Sequence, residues 1–281
     1  MAAADHGRVV GVWCGTARFV APDPADRGLA YGDGLFETMR AHAGRLPWWS
    51  RHRARLAAGA ARLGIALPED GVLDAALAEA LAEAPEGVVK LLLTRGVSAR
   101  GYAPGPGRGP TLLLSVAPAP EPASTAGSVD LLELRLGVQP ALAGIKHLNR
   151  LEQVLGAIEA GRRGLDEGLM ADSEGRLSCG IRSNLLVRLD GRWLTPPLDR
   201  TGVAGTVRAL LLASWSPPGG VRVAELPLAV LARVDALLLT NALRGILPAG
   251  RLGDRVLDPC PPGLDTARAA LAASHPAFRE S

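Results

Sequence analysis

The stretch LAGIKHLNRLEQVL, residues 142–155, is the most informative part of this 281-residue chain. It holds Lys146, and only two of the 31 basic residues are lysine, the other being Lys90. Only lysine offers a primary amine that can deprotonate and attack a carbonyl, so Lys146 is a candidate for Schiff-base chemistry. The stretch predicts a helix with Lys146 at its start, where the helix dipole disfavours a cation. The alternative is a solvated lysine with no chemical role.

The composition is that of a soluble globular protein, with 48% hydrophobic and 21% charged residues. This balance excludes a disordered chain, a collagen and a coiled coil. No apolar run approaches the roughly 18 residues that a membrane span needs, and no signal-peptide core is present, so we expect a cytoplasmic protein. A net charge of +3 without a basic stripe argues against nucleic-acid binding. Cys14, Cys179 and Cys260 have neither disulfide-framework nor metal-site spacing, and no metal is expected.

Alternating apolar runs and amphipathic segments predict an α+β protein of two domains. We place a small N-terminal domain at residues 1–116, a linker rich in Pro, Ala and Ser at 117–128, and a larger domain at 129–281. Residues 88–94 and 111–116 are typical of strands, and residues 185–189 and 193–195 of a hairpin around Asp190-Gly191. In the helix after Lys146, an apolar stripe would contain Leu148, Leu151, Leu155 and Ile158.

Two loops carry candidate ligand-binding residues. The segment TGVAGTVR, residues 201–208, places two glycines before a helix, where backbone N–H groups and the Thr206 hydroxyl can bind an anion. A plain turn with a capped helix is the alternative for this segment. Arg95 and Arg100 flank Gly96 ahead of Tyr102, and arginines in such a loop suit a carboxylate substrate. Ordinary surface charge is the alternative in an arginine-rich chain.

Seven further motifs, together with residues 142–155, carry a family resemblance. They are AYGDGLFET (30–38), HRARL (52–56), RGVSARGY (95–102), DSEG (172–175), SNL (183–185), GVAG (202–205) and TNAL (240–243). The set resembles the fold-type IV pyridoxal-phosphate enzymes, which include branched-chain and D-amino-acid aminotransferases and 4-amino-4-deoxychorismate lyase. Residues 142–155 are most similar to the lyase. The resemblance implies a small N-terminal α/β domain and a larger C-terminal, β-barrel-like domain.

The resemblance also implies roles for individual residues. The chain would bind pyridoxal 5′-phosphate through a Schiff base at Lys146, and Arg55 would pair with the cofactor phosphate. Arg100, with Tyr102, would receive a carboxylate of a small-molecule substrate. The other residues implied to hold the phosphate, through N–H and hydroxyl groups, are Gly205, Thr206, Val207, Asn241 and Ala242. The implied enzyme is a homodimer that converts 4-amino-4-deoxychorismate to 4-aminobenzoate and pyruvate, a step towards folate.

Cys179 departs from the family pattern. The class has a glutamate five residues before Asn184, where it pairs with the protonated pyridine nitrogen of the cofactor; here that position is Cys179. A neutral thiol cannot supply the carboxylate charge, so the cofactor should be a weaker electron sink. Transamination of an unactivated amino acid needs a strong sink, whereas the lyase reaction is driven by formation of an aromatic ring. The departure therefore favours the lyase. The alternatives are a fold-type IV aminotransferase for D-amino or branched-chain amino acids and a non-catalytic descendant.

Overall fold

The computed structural model describes residues 7–121 and 123–279, which form two compact units. The first unit contains the chain up to Pro120 together with Ile145–Asn149. The second contains Glu121–Gly144 and the chain from Arg150 onward. The lysine segment is thus part of the first unit, although its sequence neighbours on both sides belong to the second.

The first unit is built on one antiparallel sheet. Its strands are β1 (Arg8–Cys14), β2 (Ala17–Phe19), β3 (Gly34–Arg40), β4 (Val88–Thr94) and β5 (Thr111–Ala117), and its helices are α1 (Arg27–Tyr31), α2 (Trp49–Leu63) and α3 (Asp70–Glu83). The strand order is β2-β1-β5-β4-β3, so β3 lies at an edge. Side chains alternate between the faces of a strand. In β3, Leu35, Glu37 and Met39 are therefore buried, whereas Phe36 and Thr38 lie half-buried on the other face.

The second unit contains two five-stranded sheets within the described residues. Its strands are β6 (Ser128–Leu136), β7 (Glu167–Asp172), β8 (Leu177–Gly180), β9 (Asn184–Leu189), β10 (Arg192–Thr195), β11 (Val221–Val223), β12 (Ala236–Asn241), β13 (Gly245–Pro248), β14 (Arg251–Leu252) and β15 (Arg255–Val256). Its helices are α4 (Leu151–Arg162), α5 (Thr206–Ser214) and α6 (Leu264–Ser274), and Leu228–Arg233 and Pro276–Phe278 are short 3₁₀ helices. The sheet orders are β11-β10-β9-β12-β13 and β15-β14-β6-β7-β8. A shared apolar core that includes Val129, Leu169, Leu185 and Leu239 joins the two sheets.

These two units confirm the predicted α+β fold class. The predicted hairpin around Asp190-Gly191 is also confirmed, because β9 and β10 pair antiparallel across these residues. Both turn residues have positive φ, 49° and 79°, which glycine and aspartate tolerate better than most residues. No helix in residues 7–121 and 123–279 is long and apolar enough to cross a bilayer.

The predicted helix after Lys146 begins later than expected. α4 starts at Leu151, so Leu148 lies outside it and Lys146 is not at a helix start. The predicted apolar stripe is exposed: Leu151 is 76% exposed, and Leu155 and Ile158 are about half exposed. The buried positions of α4 are instead Gly156, Glu159 and Ala160.

Candidate active site

Lys146 is held against β3 by backbone hydrogen bonds. Its carbonyl accepts from the Phe36 N–H at 2.9 Å, and the Leu148 N–H donates to the Gly34 carbonyl at 2.9 Å. The segment therefore pairs with the β3 edge instead of starting a helix. The Lys146 side chain is half-buried, and its Nζ lies 4.0 Å from the centroid of the Phe36 ring. The backbone pairing and this cation–π contact place the amine at a defined point on the strand.

Lys90, the only other lysine, lies at the same ring. Its Nζ is 5.6 Å from the Phe36 centroid, and in the register of β3 and β4 it is opposite Thr38. Lys90 is exposed and forms no ion pair with any described residue. Sequence reasoning assigned Lys90 no role. The scarcity of lysine in this chain could have identified Lys90, as it identified Lys146. The structure places both lysines at Phe36.

Arg55 is engaged by a buried carboxylate. Its Nε donates to Glu37 Oε1 at 2.8 Å and its Nη2 donates to Oε2, so the pair is bidentate. His52 Nδ1 lies 2.6 Å from the same Oε2. Burial raises the pKa of Glu37, but hydrogen bonds from Arg55 and His52 outweigh it and hold that pKa below its usual value. Burial lowers the pKa of His52, and together with the nearby Arg55 and Lys146 charges it outweighs the raising effect of Glu37. The cluster is therefore a carboxylate, a guanidinium and a neutral imidazole that donates from Nδ1.

Arg27 anchors the loop that carries Arg100 and Tyr102. The Arg27 guanidinium is buried; it donates to the carbonyls of Gly101 and Tyr102 at 2.8 and 2.9 Å, and to Asp33 at 2.9 Å. Tyr102 is 88% exposed, and its ring centroid lies 5.6 Å from that of Tyr31. Arg100 is exposed beside these fixed carbonyls. The structure thus gives the predicted substrate loop a buried support that sequence reasoning missed.

The predicted phosphate loop of the second unit has the features of an anion site. Gly205 precedes α5, whose first residues are Thr206 and Val207, and no side chain caps this helix. A Cβ at Gly205 would lie 1.9 Å from Asn184 Oδ1, so only glycine fits. The Thr206 and Thr240 hydroxyls are both buried and have no hydrogen-bond partner within the described residues. Buried hydroxyls without partners are unusual, and a bound ligand with acceptor atoms would satisfy them.

Thr240 is a candidate that sequence reasoning missed. It is opposite Asn184 in the pairing of β12 with β9, and Asn184 donates to the Val203 carbonyl at 2.9 Å in the phosphate loop. The Asn241 side chain has another role, because its Oδ1 accepts from the N–H groups of the two residues after Ala242 at 3.0 and 2.9 Å. The predicted phosphate donors at this turn are therefore the backbone N–H groups of Asn241 and Ala242 and the side-chain amide nitrogen of Asn241.

Cys179 is a buried thiol beside the same loop. Cys179 lies on β8 and is 6% exposed. A Cβ built at Gly202 would be 3.9 Å from the Cβ of Cys179. The preceding Ser178 bonds to Thr201 at 2.7 Å, which ties β8 to the start of the loop. Burial raises the pKa of the Cys179 thiol to about 11, despite the lowering effects of Ser178 and Arg150. The thiol is therefore neutral at physiological pH.

Comparison with known proteins identifies the family. The family model described as "Amino-transferase class IV" matches residues 34–252, well over half of the chain. The chain belongs to the class IV aminotransferase family. It is 34% identical over 229 residues to an aminodeoxychorismate lyase of Vibrio harveyi, covering 79% of this chain and 84% of that protein. It is 30% identical over 243 residues to a putative branched-chain-amino-acid aminotransferase of Methanocaldococcus jannaschii, covering 83% of each.

A solved structure shows the same class IV fold. The 4-amino-4-deoxychorismate lyase of Pseudomonas aeruginosa superimposes with a TM-score of 0.81 at 40% identity, covering 93% of this chain and 97% of that one. The family is pyridoxal-phosphate-dependent, which confirms the predicted enzyme class and cofactor. The structural match confirms the predicted two-domain fold. The roles of individual site residues stay predictions. Within the described residues, no group of three or more His, Cys, Asp or Glu side chains could hold a metal ion.

Proposed function

We propose that this class IV protein is a lyase that converts 4-amino-4-deoxychorismate to 4-aminobenzoate and pyruvate. The observation that carries the proposal is the Lys146 amine, held on β3 at 4.0 Å from the Phe36 centroid in the segment whose sequence is most lyase-like. The two lyases from Vibrio harveyi and Pseudomonas aeruginosa, at 34% and 40% identity, support the same reaction.

The residues present fit pyridoxal phosphate. Lys146 offers the amine for its aldehyde and Arg55 a guanidinium for its phosphate. The unpartnered hydroxyls of Thr206 and Thr240 match phosphate acceptor atoms. When bound, the cofactor supplies an electron sink next to the substrate amine. The other groups proposed to hold the cofactor are Gly205, Val207, Asn241 and Ala242, and Cys179 at the pyridine nitrogen.

Lys146 is proposed to move the proton in the reaction. Its Nζ takes the proton from the ring carbon that carries the amine, acting as a general base. The bond between the ring and the enolpyruvyl oxygen breaks as the ring becomes aromatic. The same proton then completes the methyl group of pyruvate, so the atoms of the substrate are divided between two products without a co-reactant.

Cations near Phe36 and Arg27 are proposed to hold the two carboxylates of the substrate. Arg100, with Tyr102, takes one of them, and the buried Arg27 fixes the backbone on which they stand. Lys90 takes the other, because its ammonium lies at the ring that Lys146 also contacts and has no ion-pair partner among the described residues. Two cations on this unit would favour a dicarboxylate over an ordinary amino acid.

The neutral Cys179 thiol supports a lyase more than an aminotransferase. A thiol whose pKa is about 11 leaves the pyridine nitrogen without a carboxylate partner, which weakens the pull on electrons from the substrate. Formation of an aromatic ring compensates for a weaker sink in the lyase reaction. Transfer of an amine from an ordinary amino acid has no such compensation.

We also propose that the protein is a cytoplasmic homodimer. The exposed stripe of α4, which includes Leu151, Leu155 and Ile158, is the kind of apolar face that a second copy would cover. The free state of Cys14, Cys179 and Cys260 is typical of a reducing compartment. Sedimentation at micromolar concentration tests the dimer, and a monomer would contradict it.

The test of the function is product analysis with the purified protein and added pyridoxal phosphate. We expect 4-aminobenzoate, followed by its fluorescence, and pyruvate in equal amounts from 4-amino-4-deoxychorismate. The Lys146→Ala variant should lose the visible absorption band of the bound cofactor and activity by a factor of about 10³ or more. Amine transfer that depends on a keto acid, without 4-aminobenzoate formation, would instead establish the aminotransferase.

A further inference from the structure

The cluster of Glu37, His52 and Arg55 takes no part in the proposed proton transfer. Glu37 is 0% exposed, and it faces away from Phe36 because adjacent residues of β3 point to opposite faces. His52 and Arg55 are three residues apart, so they lie on one face of α2 and reach Glu37 together. A carboxylate is thus shared by two donors from one helix.

This arrangement is costly as a purely structural device. Removing a carboxylate and a guanidinium from water carries a large desolvation penalty, and well-packed apolar residues often stabilise a core equally well. What the cluster provides is orientation. Glu37 contacts the Nε and Nη2 edge of Arg55, and the His52 bond at 2.6 Å fixes the carboxylate itself. Because Glu37 engages this edge, it sets the direction in which the guanidinium of Arg55 lies.

We propose that Glu37 and His52 are positioning residues that hold the Arg55 guanidinium in the orientation that receives the cofactor phosphate. The inference rests on the proposed binding of that phosphate by Arg55. In this arrangement His52 holds Glu37 without adding a second positive charge, since its imidazole is neutral. The guanidinium is then already oriented before the cofactor binds, and binding does not have to order a flexible arginine.

The experiment separates phosphate recognition from general stability by comparing two ligands. The apoprotein is titrated with pyridoxal phosphate and with pyridoxal, and the visible absorbance gives a Kd for each. The Kd of pyridoxal divided by the Kd of pyridoxal phosphate is the ratio that measures how much the phosphate contributes to binding. For Glu37→Gln we expect the Kd of pyridoxal phosphate to rise about 10-fold while that of pyridoxal stays within about 2-fold, as for loss of one oriented charge-assisted contact.

The chain offers a matched control, because His42 and Glu86 form a second His–Glu pair, at 3.0 Å, on the surface of the same unit. Glu86→Gln should leave both Kd values unchanged. His52→Leu keeps the ion pair and removes one hydrogen bond, so it should lower the ratio by about 3-fold. It also provides a second test where Glu37→Gln folds poorly, as judged by circular dichroism. His52→Asn, which keeps an N–H donor, should restore part of the ratio.

The outcomes distinguish this inference from the proposals beneath it. If Arg55→Met lowers the ratio and Glu37→Gln and His52→Leu do not, Arg55 binds phosphate without help and the positioning role is wrong. An equal loss of affinity for both ligands in Glu37→Gln would show a merely structural role and would also overturn it. If Arg55→Met leaves the ratio unchanged, the proposed phosphate site itself fails. None of these titrations depends on whether the enzyme is a lyase.

Discussion

Removing the Cys179 thiol should change how stability depends on pH. Burial raises the pKa of this thiol from 9.0 to about 11, so the folded protein disfavours the thiolate that the unfolded chain forms more easily. A folded pKa above the unfolded one adds stability that is complete below about pH 9 and is lost as pH rises through about 11. At about 1.4 kcal/mol per pKa unit, the loss is about 1 kcal/mol at pH 10 and about 2 kcal/mol at pH 11.

The assay is urea unfolding of the wild type and of Cys179→Ala at pH 8, 9, 10 and 11. The variant leaves a small cavity whose cost does not depend on pH, and lysines and tyrosines titrate alike in both proteins. The free energy of unfolding of the wild type relative to the variant should therefore fall by about 2 kcal/mol between pH 8 and pH 11. Iodoacetamide at pH 8 should modify the exposed Cys260 and leave Cys179 intact in the folded protein.

Two results would refute this reasoning. Identical pH dependence in the two proteins would mean that burial does not penalise the Cys179 thiolate. Modification of Cys179 at pH 8 at the rate of Cys260, in the folded state, would mean that the thiol is accessible and ionised. Either result would remove the argument that the pyridine nitrogen faces a neutral partner.

Substitutions at three further positions, with their controls, test other parts of the site. Cys179→Glu should leave lyase activity within about 3-fold of wild type, and a large gain would contradict the lyase argument. Lys90→Met should raise KM about 10- to 100-fold with a smaller effect on kcat, and Lys90→Arg should recover much of the loss. Arg51→Met, which removes another exposed cation, is the control and should change neither KM nor kcat. An unaltered KM in Lys90→Met would exclude Lys90 from substrate binding. Gly205→Ala should destabilise the protein by about 2 kcal/mol and weaken cofactor binding, because its Cβ would lie 1.9 Å from Asn184 Oδ1; thermal unfolding at the wild-type temperature would contradict that clash.

Elements fixed by local interactions could be predicted from the sequence. The strand predicted at residues 88–94 is β4 with the same bounds, because an apolar run that follows a Pro-Glu-Gly turn specifies a strand locally. The Asp190-Gly191 hairpin follows from two residues that tolerate positive φ. Lys146 was singled out by composition alone, since an arginine-rich chain retained a lysine there.

Features that depend on long-range pairing could not be predicted. The segment around Lys146 pairs with β3, about a hundred residues earlier in the chain, and no local pattern encodes that partner. The apolar stripe of α4 showed that the helix is amphipathic but not that Gly156 and Ala160 are its buried side. Lys90 and Thr240 acquire their surroundings from strand register, which places each opposite a residue far away in sequence.

The position of both lysines at Phe36 has a practical consequence for labelling. Every lysine amine in this protein contacts one aromatic ring, so an amine-selective reagent such as a mild acylating agent reports on that ring alone among the side chains. The extent of acylation, read by mass spectrometry, would follow occupancy of the site in the unmodified wild-type enzyme. In most proteins dozens of surface lysines obscure such a measurement, but here the surface cations are arginines, which do not react with an amine-selective reagent.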